Sequence, residues 1–493
     1  MPAPGSKMGV LADLVDGRLT GDPEAVVADV THDSRRVRPG FLYVAIKGLL
    51  QDGHEFVHEA IENHAAGLCV STLVSLSDVA ATVPLIKVAD TRSAMPIMAA
   101  AVQGNPSLKV ELIGVTGTNG KTTVAYMVES IASAAGRSCG LIGTIVTRLG
   151  QQEIANPRTT PEAPDFQRLL RTMVDGGADL IACEVSSHAL ALGRVDATRF
   201  RIGAFTNLSQ DHLDFHAGMN SYFEAKALLL ERAEQRVLWI DDPYGSVLAG
   251  RYPDSLMVGW DAFVGASSIE STAGGSRFRL RIGGDEMEVR LRLPGRFNVA
   301  NAMVAAGIGH LAGFSLPEIV NGLDGLAKVP GRFEVVSGSH PVTVVVDYAH
   351  TPDGVRTVIE TSRTLTRGRV IAVVGAGGDR DRSKRPQMGQ AASAADLVVV
   401  TSDNPRSEDP AGIVDQVAAG VDNPATIKVI DRRDAIRAAL AAASPGDIVL
   451  ILGKGHETGQ EVAGRVHPFD DRVVASEALA AIGQEPRFGE DRE

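Results

Sequence analysis

The sequence predicts an α/β protein, and three observations lead there. Short β-branched runs alternate with helical stretches along the chain, the pattern that builds mostly parallel sheets. The 493 residues correspond to three domains at about 150 residues each. The composition, 44% hydrophobic and 22% charged, is that of a globular chain and excludes disorder for the bulk of it.

Charge and cysteines narrow the function classes. Sixty acidic residues against 48 basic ones give a net charge of −12, which argues against general duplex-DNA binding. Cys69, Cys139 and Cys183 lie far apart, with no C-x-x-C pair, so neither a disulfide framework nor a zinc site is indicated. They are expected to be core residues of a protein from a reducing compartment. The N-terminal MPAPGSKMGV has no apolar signal region, and no run of 18 apolar residues occurs. A soluble cytoplasmic protein without a membrane span is expected.

The elements follow in order. FLYVAIKG, GLCVST and VPLIKVAD read as strands, with the helical EFVHEAIENHAA between the first two. GNPSLKV has turn chemistry and reads as a linker. A second block opens with VELIGVT and holds the strands LIACEVS and RIGAF, the alternating strand MEVRLRLPG and the helix FNVANAMVAAGIGHLA. The third block, after VPGRFEVV, contains VTVVVDYA, RVIAVVGAGG, DLVVVTSD, TIKVID and DIVLILG, separated by helices: a Rossmann-like parallel sheet. The expected domains are 1–106, 107–331 and 332–493.

Val110 to Thr116 is a buried-strand pattern that runs into Gly117-Thr118-Asn119-Gly120-Lys121-Thr122-Thr123 and then into a helix. Strand, glycine loop, Lys-Thr and helix form the phosphate-binding layout: backbone N–H groups cradle the anion, Lys121 reaches the β/γ-phosphates, and the Thr122 hydroxyl suits Mg²⁺. Val115 stands where the common motif has its first glycine, so the loop is a variant.

Further along, Glu184 ends an apolar run, where parallel sheets place site residues and where a carboxylate suits Mg²⁺. On its own such a Glu is more often a surface residue. TNLSQDHLDFH packs Asp211, His212, Asp214 and His216 into six positions. In the helix SYFEAKALLLERA, Lys226 by itself reads as a lysine snorkelling from an apolar face.

These pieces together resemble the Mur ligase family of ATP-dependent amide-bond ligases. The matching segments are GTNGKTT, EVSSHAL, TNLSQDHLDFH, the A-K of YFEAKALLL, FNVANA, PGRFE and VDYAHTPDG, in family order over essentially the whole chain. THDSRRVRPGFLYVAIKG, DNPRSE and GKGHE resemble the member that adds the third residue to the muramoyl peptide.

The resemblance implies an N-terminal UDP-sugar domain, a central ATPase domain and a C-terminal domain that brings the amino acid. It implies ATP at Gly117, Thr118, Asn119, Gly120, Lys121, Thr122 and Thr123, with Asn301, Arg332 and Asp347. Thr122 and Glu184 would hold Mg²⁺, with His212 near a second ion. Lys226 aligns with a lysine that is carbamylated in the family and so becomes an anionic ligand. Lys121, Glu184, His212 and Lys226 are the implied catalytic set. The implied UDP-sugar contacts are Ser34, Leu49, Leu50, Gln51, Thr159, Thr160, Ser186 and Arg194. Leu192 departs from a glutamine found in some relatives, and His350 lies in the DYAH motif without an assigned role.

Asp403-Asn404-Pro405-Arg406 alone is balanced between a tight turn and a site. Within the family it resembles the signature of enzymes that use meso-diaminopimelate. That substrate ends in an ammonium–carboxylate pair where lysine ends in an ammonium alone. A planar guanidinium grips the extra carboxylate and repels a bare ammonium. Arg380, Gly453 and Glu457 complete the implied pocket. The expected partners are therefore small molecules, the UDP-linked muramoyl dipeptide and meso-diaminopimelate, with no nucleic acid and a monomeric enzyme.

Other readings have weaker support. The G-A-G-G-D-R run lacks the third glycine of a dinucleotide fingerprint. A P-loop switch would turn over ATP without an amine substrate. A non-catalytic binding module would be expected to have lost Lys121, Glu184 or His212. Folylpolyglutamate synthetases share the loop and the lysine but not the D-S-R and two-threonine segments.

Overall fold

The computed structural model describes residues 5–48, 51–72, 83–156 and 158–482. It has two compact units, each assembled from separate stretches of chain. The first takes the chain up to Thr116, then Gly136–Phe205 and Glu224–Val237. The second takes Gly117–Ala135, Thr206–Phe223 and the chain from Leu238 on.

The first unit holds a five-stranded sheet in the order Arg18–Thr20, Leu85–Lys87, Gly67–Val70, Phe41–Val44, Asp29–Thr31. All its neighbours are parallel except the first pair. The alternation of side chains divides its apolar residues between two faces. Leu42, Val44 and Ile86 pack with Met8, Met95 and Met98, while Tyr43, Leu68 and Val70 pack with Val57 and Ala60. The three predicted strands are present but shorter. EFVHEAIENHAA is helical only over Val57–Glu62, after a 3-10 turn at Gly53–Phe56 whose His54 N–H is capped by the Asp52 side chain. The GNPSLKV segment folds as a 3-10 turn at Pro106–Leu108.

The same unit contains parallel strands in the order Cys139–Ile142, Leu180–Glu184, Glu111–Thr116, Phe200–Phe205. Leu112, Ile181, Cys183 and Phe200 join Phe166, Leu170 and Met173 of the helix Ala163–Asp175 in one core. Glu184 is the last residue of its strand, at the carboxyl edge.

In the second unit the helix Lys121–Ala134 opens at the phosphate-loop sequence, and its Ser130 hydroxyl donates to the Gly322 carbonyl at 2.7 Å. The strands Val264–Thr272, Gly275–Ile282 and Asp285–Leu291 form an antiparallel meander. Sequence reading found only the last of these: Val264–Thr272 carries Ser, Thr and Gly without an apolar run, whereas Gly275–Ile282 does carry the alternation, with Phe278, Leu280 and Ile282 buried between Arg277, Arg279 and Arg281. The predicted Rossmann-like sheet is there: Glu334–Val335, Thr343–Asp347, Ile448–Leu452, Val370–Val374, Leu397–Val400, Thr426–Lys428, parallel after the first pair. Apolar clusters cover both its faces. The segments DYAH, GGDR, DNPR and GKGHE all leave the carboxyl ends of these strands, where open parallel sheets bind ligands.

Arg432 secures two of those ends. It is fully buried and forms a bidentate pair with Asp471 at 2.7 and 2.8 Å. It also donates to the carbonyls of Leu452 at 2.9 Å and Ser402 at 3.3 Å. Removing one partner of a fully buried pair strands the other charge, so Asp471→Ala is expected to cost about 3–5 kcal/mol. A urea midpoint equal to that of the parent protein would contradict this.

Cys69, Cys139 and Cys183 are all buried. Burial pushes the Cys69 thiol up to about 12 and raises Cys183 as well. The thiols are expected to stay silent to an aromatic disulfide reagent in the native protein and to react once denaturant is added. Rapid native labelling would overturn the core assignment.

Candidate active site

In the second unit the glycine loop is held in a fixed, open shape. Gly117 and Gly120 have φ of 148° and 88°, in the region that favours glycine. A Cβ at Gly117 would run into the Thr206 hydroxyl, and one at Gly120 into Asn301 Oδ1. Thr118 N–H donates to the Asn207 carbonyl and Asn119 N–H to Asn207 Oδ1, both at 2.9 Å. The Thr206 hydroxyl and Asn207 amide donate to the Asn119 carbonyl at 2.6 and 3.1 Å. Lys121 folds back over the loop, its ammonium 2.9 Å from the Gly117 and Thr118 carbonyls. Arg332 donates to the Thr122 hydroxyl at 3.0 Å and lies 4.3 Å over the Tyr348 ring. Thr123 is buried in the first helical turn.

Asp347 is buried at the end of its strand, where its two oxygens accept the N–H groups of Phe333 (2.6 Å) and Ala349 (2.7 Å). Burial pushes its carboxyl up, against the charge of Arg332 and these backbone donors. Asp211 is also buried, with the His212 ring at 3.4 Å, Lys384 at 3.5 Å and His350 at 3.6 Å. Burial by itself would raise its pKa. The His350 hydrogen bond and the nearby charges of His350, His212 and Lys384 outweigh that and hold the carboxyl well below the usual range. His350 thus acquires a partner that sequence left open.

The DNPR turn and the GKGHE loop meet. Asp403, Asn404 and Pro405 are buried, and the Asn404 amide donates to Glu457 Oε2 at 2.8 Å. Gly453 donates to the Asp347 carbonyl at 3.1 Å. Arg406 sits at φ 52°, its guanidinium 2.6 Å from the Gly378 carbonyl and 3.5 Å from Glu461. Arg380, on the neighbouring loop, is exposed and bonds the Asp379 carbonyl at 3.2 Å.

The first unit carries the remaining candidates. Glu184 is buried, and its carboxylate accepts from Thr144 N–H at 2.7 Å and the Thr144 hydroxyl at 3.0 Å. Thr159 and Thr144 share a hydroxyl contact at 3.0 Å, and the Thr160 hydroxyl donates to the Glu184 carbonyl at 2.8 Å. Ser186 caps the short helix that follows, accepting from Ala189 N–H. Arg194 bonds the Thr160 carbonyl at 3.1 Å and pairs with Glu162 at 2.9 Å. Glu184, Thr159, Thr160, Ser186 and Arg194 therefore form one connected patch at a strand end.

Ser34, in a 3-10 turn, donates to Glu59 of the helix Val57–Glu62 at 2.6 Å. Gln51 is exposed, and Leu49 and Leu50 lie outside the described residues. The Leu192 carbonyl accepts from Arg92 at 3.5 Å. Lys226 is 1% exposed on the helix Met219–Glu231, so the snorkelling alternative fails.

Sequence reading missed Thr144, which sits in a turn without a motif, and His32, which stands just before Asp33-Ser34. His32, Asp33, Arg36, Asn156, Arg158 and Glu162 line a cavity of about 490 Å³. Burial lowers the His32 pKa, and its Nδ1 has no hydrogen-bond partner.

Among the described residues, no cluster of three or more His, Cys, Asp or Glu side chains is arranged to hold a metal. The Thr122 hydroxyl in the second unit and the Glu184 carboxylate in the first are each hard oxygen donors, the kind of group Mg²⁺ takes. Mg²⁺ commonly takes one or two such groups and completes its shell from phosphates and water.

Residues 26–103, 115–309 and 331–455 match, in order, the Mur ligase family catalytic domain, the Mur ligase middle domain and the Mur ligase glutamate ligase domain. A protein of Caldanaerobacter subterraneus subsp. tengcongensis named UDP-N-acetylmuramoyl-L-alanyl-D-glutamate–2,6-diaminopimelate ligase is 41% identical, covering 95% of this chain and 99% of that protein. One of the same name from Geobacillus thermodenitrificans is 42% identical, covering 93% and 96%. A solved structure of a ligase of that name superposes with a TM-score of 0.69 at 30% identity, covering 97% of this chain and 99% of the other. The Thermotoga maritima MurF ligase in complex with ADP shares the fold at a TM-score of 0.65 and 19% identity, covering 92% and 97%. The chain belongs to the Mur ligase family.

Proposed function

We propose that this chain joins meso-2,6-diaminopimelate to UDP-N-acetylmuramoyl-L-alanyl-D-glutamate at the expense of ATP, in cytoplasmic peptidoglycan precursor synthesis. The observation that carries this reading is the 41% identity, over nearly the full length of both chains, with a relative of that name. No helix among the described residues is long and apolar enough to cross a membrane. We take the enzyme to act as a monomer on small molecules.

The roles follow from chemistry. The acceptor carboxylate attacks the γ-phosphorus, the bond to the β-bridging oxygen breaks, and ADP leaves an acyl phosphate. The amine then attacks the carbonyl carbon, a proton leaves the nitrogen, and inorganic phosphate departs as the amide forms. The first step brings two anions together, so charge compensation and positioning dominate. Gly117 to Thr123 would cradle the phosphates through backbone N–H groups, and Lys121 would release its loop carbonyls to meet the terminal phosphate. Asn301, Arg332 and Asp347 would hold the rest of the nucleotide.

Thr122 and Glu184 would each offer an oxygen to Mg²⁺, and His212 would lie near a second ion. When bound, Mg²⁺ would neutralise phosphate charge. Lys226 would join the ligands as a carbamate, formed when its amine adds CO₂ and gives up a proton. Ser34, Leu49, Leu50, Gln51, Thr159, Thr160, Ser186 and Arg194 would hold the UDP-linked dipeptide, and the 490 Å³ cavity is lined by sequence neighbours of three of them. Arg380, Asp403, Asn404, Pro405, Arg406, Gly453 and Glu457 would form the diaminopimelate pocket.

The test is phosphate release from ATP with Mg²⁺ and the UDP-linked dipeptide, comparing meso-diaminopimelate with L-lysine. Release with diaminopimelate, matched by tripeptide product, is expected. Release with lysine alone would keep the ligase and overturn the pocket. In Arg406→Lys the charge remains but the two-pronged grip is lost, so KM for diaminopimelate is expected to rise by about tenfold or more with KM for ATP unchanged. Carbon-13 bicarbonate is expected to give a carbamate carbonyl resonance that is absent from Lys226→Arg. The same resonance in that variant would remove the carbamate from Lys226.

A further inference from the structure

Lys454, the second residue of GKGHE, has no role in the reading above. Its side chain is fully buried, yet it ends in a charge. The ammonium lies 2.8 Å from Glu457 Oε2, 3.1 Å from Asn404 Oδ1 and 2.7 Å from the Gly459 carbonyl. Three donors thus meet three acceptors. Asn404 closes the triangle by donating to the same Glu457 oxygen at 2.8 Å, and Glu461 N–H donates to Asn404 Oδ1 at 2.9 Å. Gln460 ties the adjoining strand to the Asp403 carbonyl at 2.7 Å. Two of the three acceptors of Lys454 are therefore groups assigned above to the incoming amino acid.

The charge balance matters for selectivity. An uncompensated Glu457 would draw in any ammonium, and L-lysine carries one at its far end just as diaminopimelate does. With Lys454 against it, Glu457 remains a hydrogen-bond acceptor but contributes no net negative charge. Discrimination then falls on the extra carboxylate of diaminopimelate and on the cations Arg406 and Arg380. We propose that Lys454 is the positioning residue that sets selectivity for meso-diaminopimelate over L-lysine, by orienting Glu457 and Asn404 and cancelling the charge of Glu457. This inference rests on the diaminopimelate-ligase reading.

The experiment compares parent enzyme, Lys454→Gln and Lys454→Arg, measuring kcat and KM for both amino acids and KM for ATP. Lys454→Gln keeps a donor and removes the charge. Its kcat/KM preference for diaminopimelate over lysine is expected to fall by about tenfold or more, with KM for lysine lowered and KM for ATP unchanged. Lys454→Arg keeps the charge and is expected to stay within about threefold of the parent preference.

An unchanged preference in Lys454→Gln, or an equal loss with both amino acids, overturns the proposal and leaves Lys454 a purely structural residue. So does an arginine variant that behaves like the glutamine one. Should Lys454→Gln not fold, the double variant Lys454→Met/Glu457→Gln removes both charges together. It is expected to keep excluding lysine, and a gain in lysine use there is equally fatal. A parent enzyme inactive with both amino acids overturns the ligase reading itself, a result distinct from any of these.

Discussion

A carboxylate taken out of water has to be met by donors, and both units of this protein meet that demand at the carboxyl ends of their parallel strands. In the first unit Glu184 is buried at a strand terminus and accepts from the backbone and hydroxyl of Thr144. In the second, Asp347 is buried at a strand end and accepts two backbone N–H groups. An unpaired charge in such places would cost several kcal/mol, so each acid fixes the geometry of its neighbours. Loops that would otherwise wander are tied down by the acid they surround. The cost of burial thereby becomes orientation, which is what a step that brings two anions together needs.

The same demand shapes the loops that carry no acid. The phosphate loop is closed on itself through Asn207, Thr206 and the folded-back Lys121. Its glycines sit at positive φ where a side chain would strike Thr206 or Asn301, so this loop shape requires glycine at both positions. Arg432 does comparable work beneath the DNPR and GKGHE loops, holding the carbonyls of Ser402 and Leu452 from inside the core.

Much of this was legible in the sequence because a parallel strand is a run of apolar residues and its functional loop follows at once. Leu180–Glu184, Thr343–Asp347 and Ile448–Leu452 are each visible as such runs, with the candidates Glu184, Asp347 and Gly453 at or just after their ends. The antiparallel strand Val264–Thr272 is not, because its pattern is dilute, whereas Gly275–Ile282 carries the same alternation as Asp285–Leu291 and is legible from it. Lys226 was misjudged from its residues alone, since a lysine among leucines looks like a surface residue and is in fact buried. Thr144 and the partners of Lys454 depend on contacts between segments distant in sequence, which spacing does not encode. The cluster of Asp211, His350 and Lys384 joins three separate motifs in the same way.

Acyl transfer through phosphate leaves an isotopic record. The UDP-linked dipeptide is labelled with oxygen-18 in its acceptor carboxylate and turned over with ATP, Mg²⁺ and meso-diaminopimelate. The account requires one labelled oxygen in the inorganic phosphate for each amide formed. Unlabelled phosphate accompanying amide formation would contradict it, because the carboxylate oxygen would then never have been bonded to phosphorus.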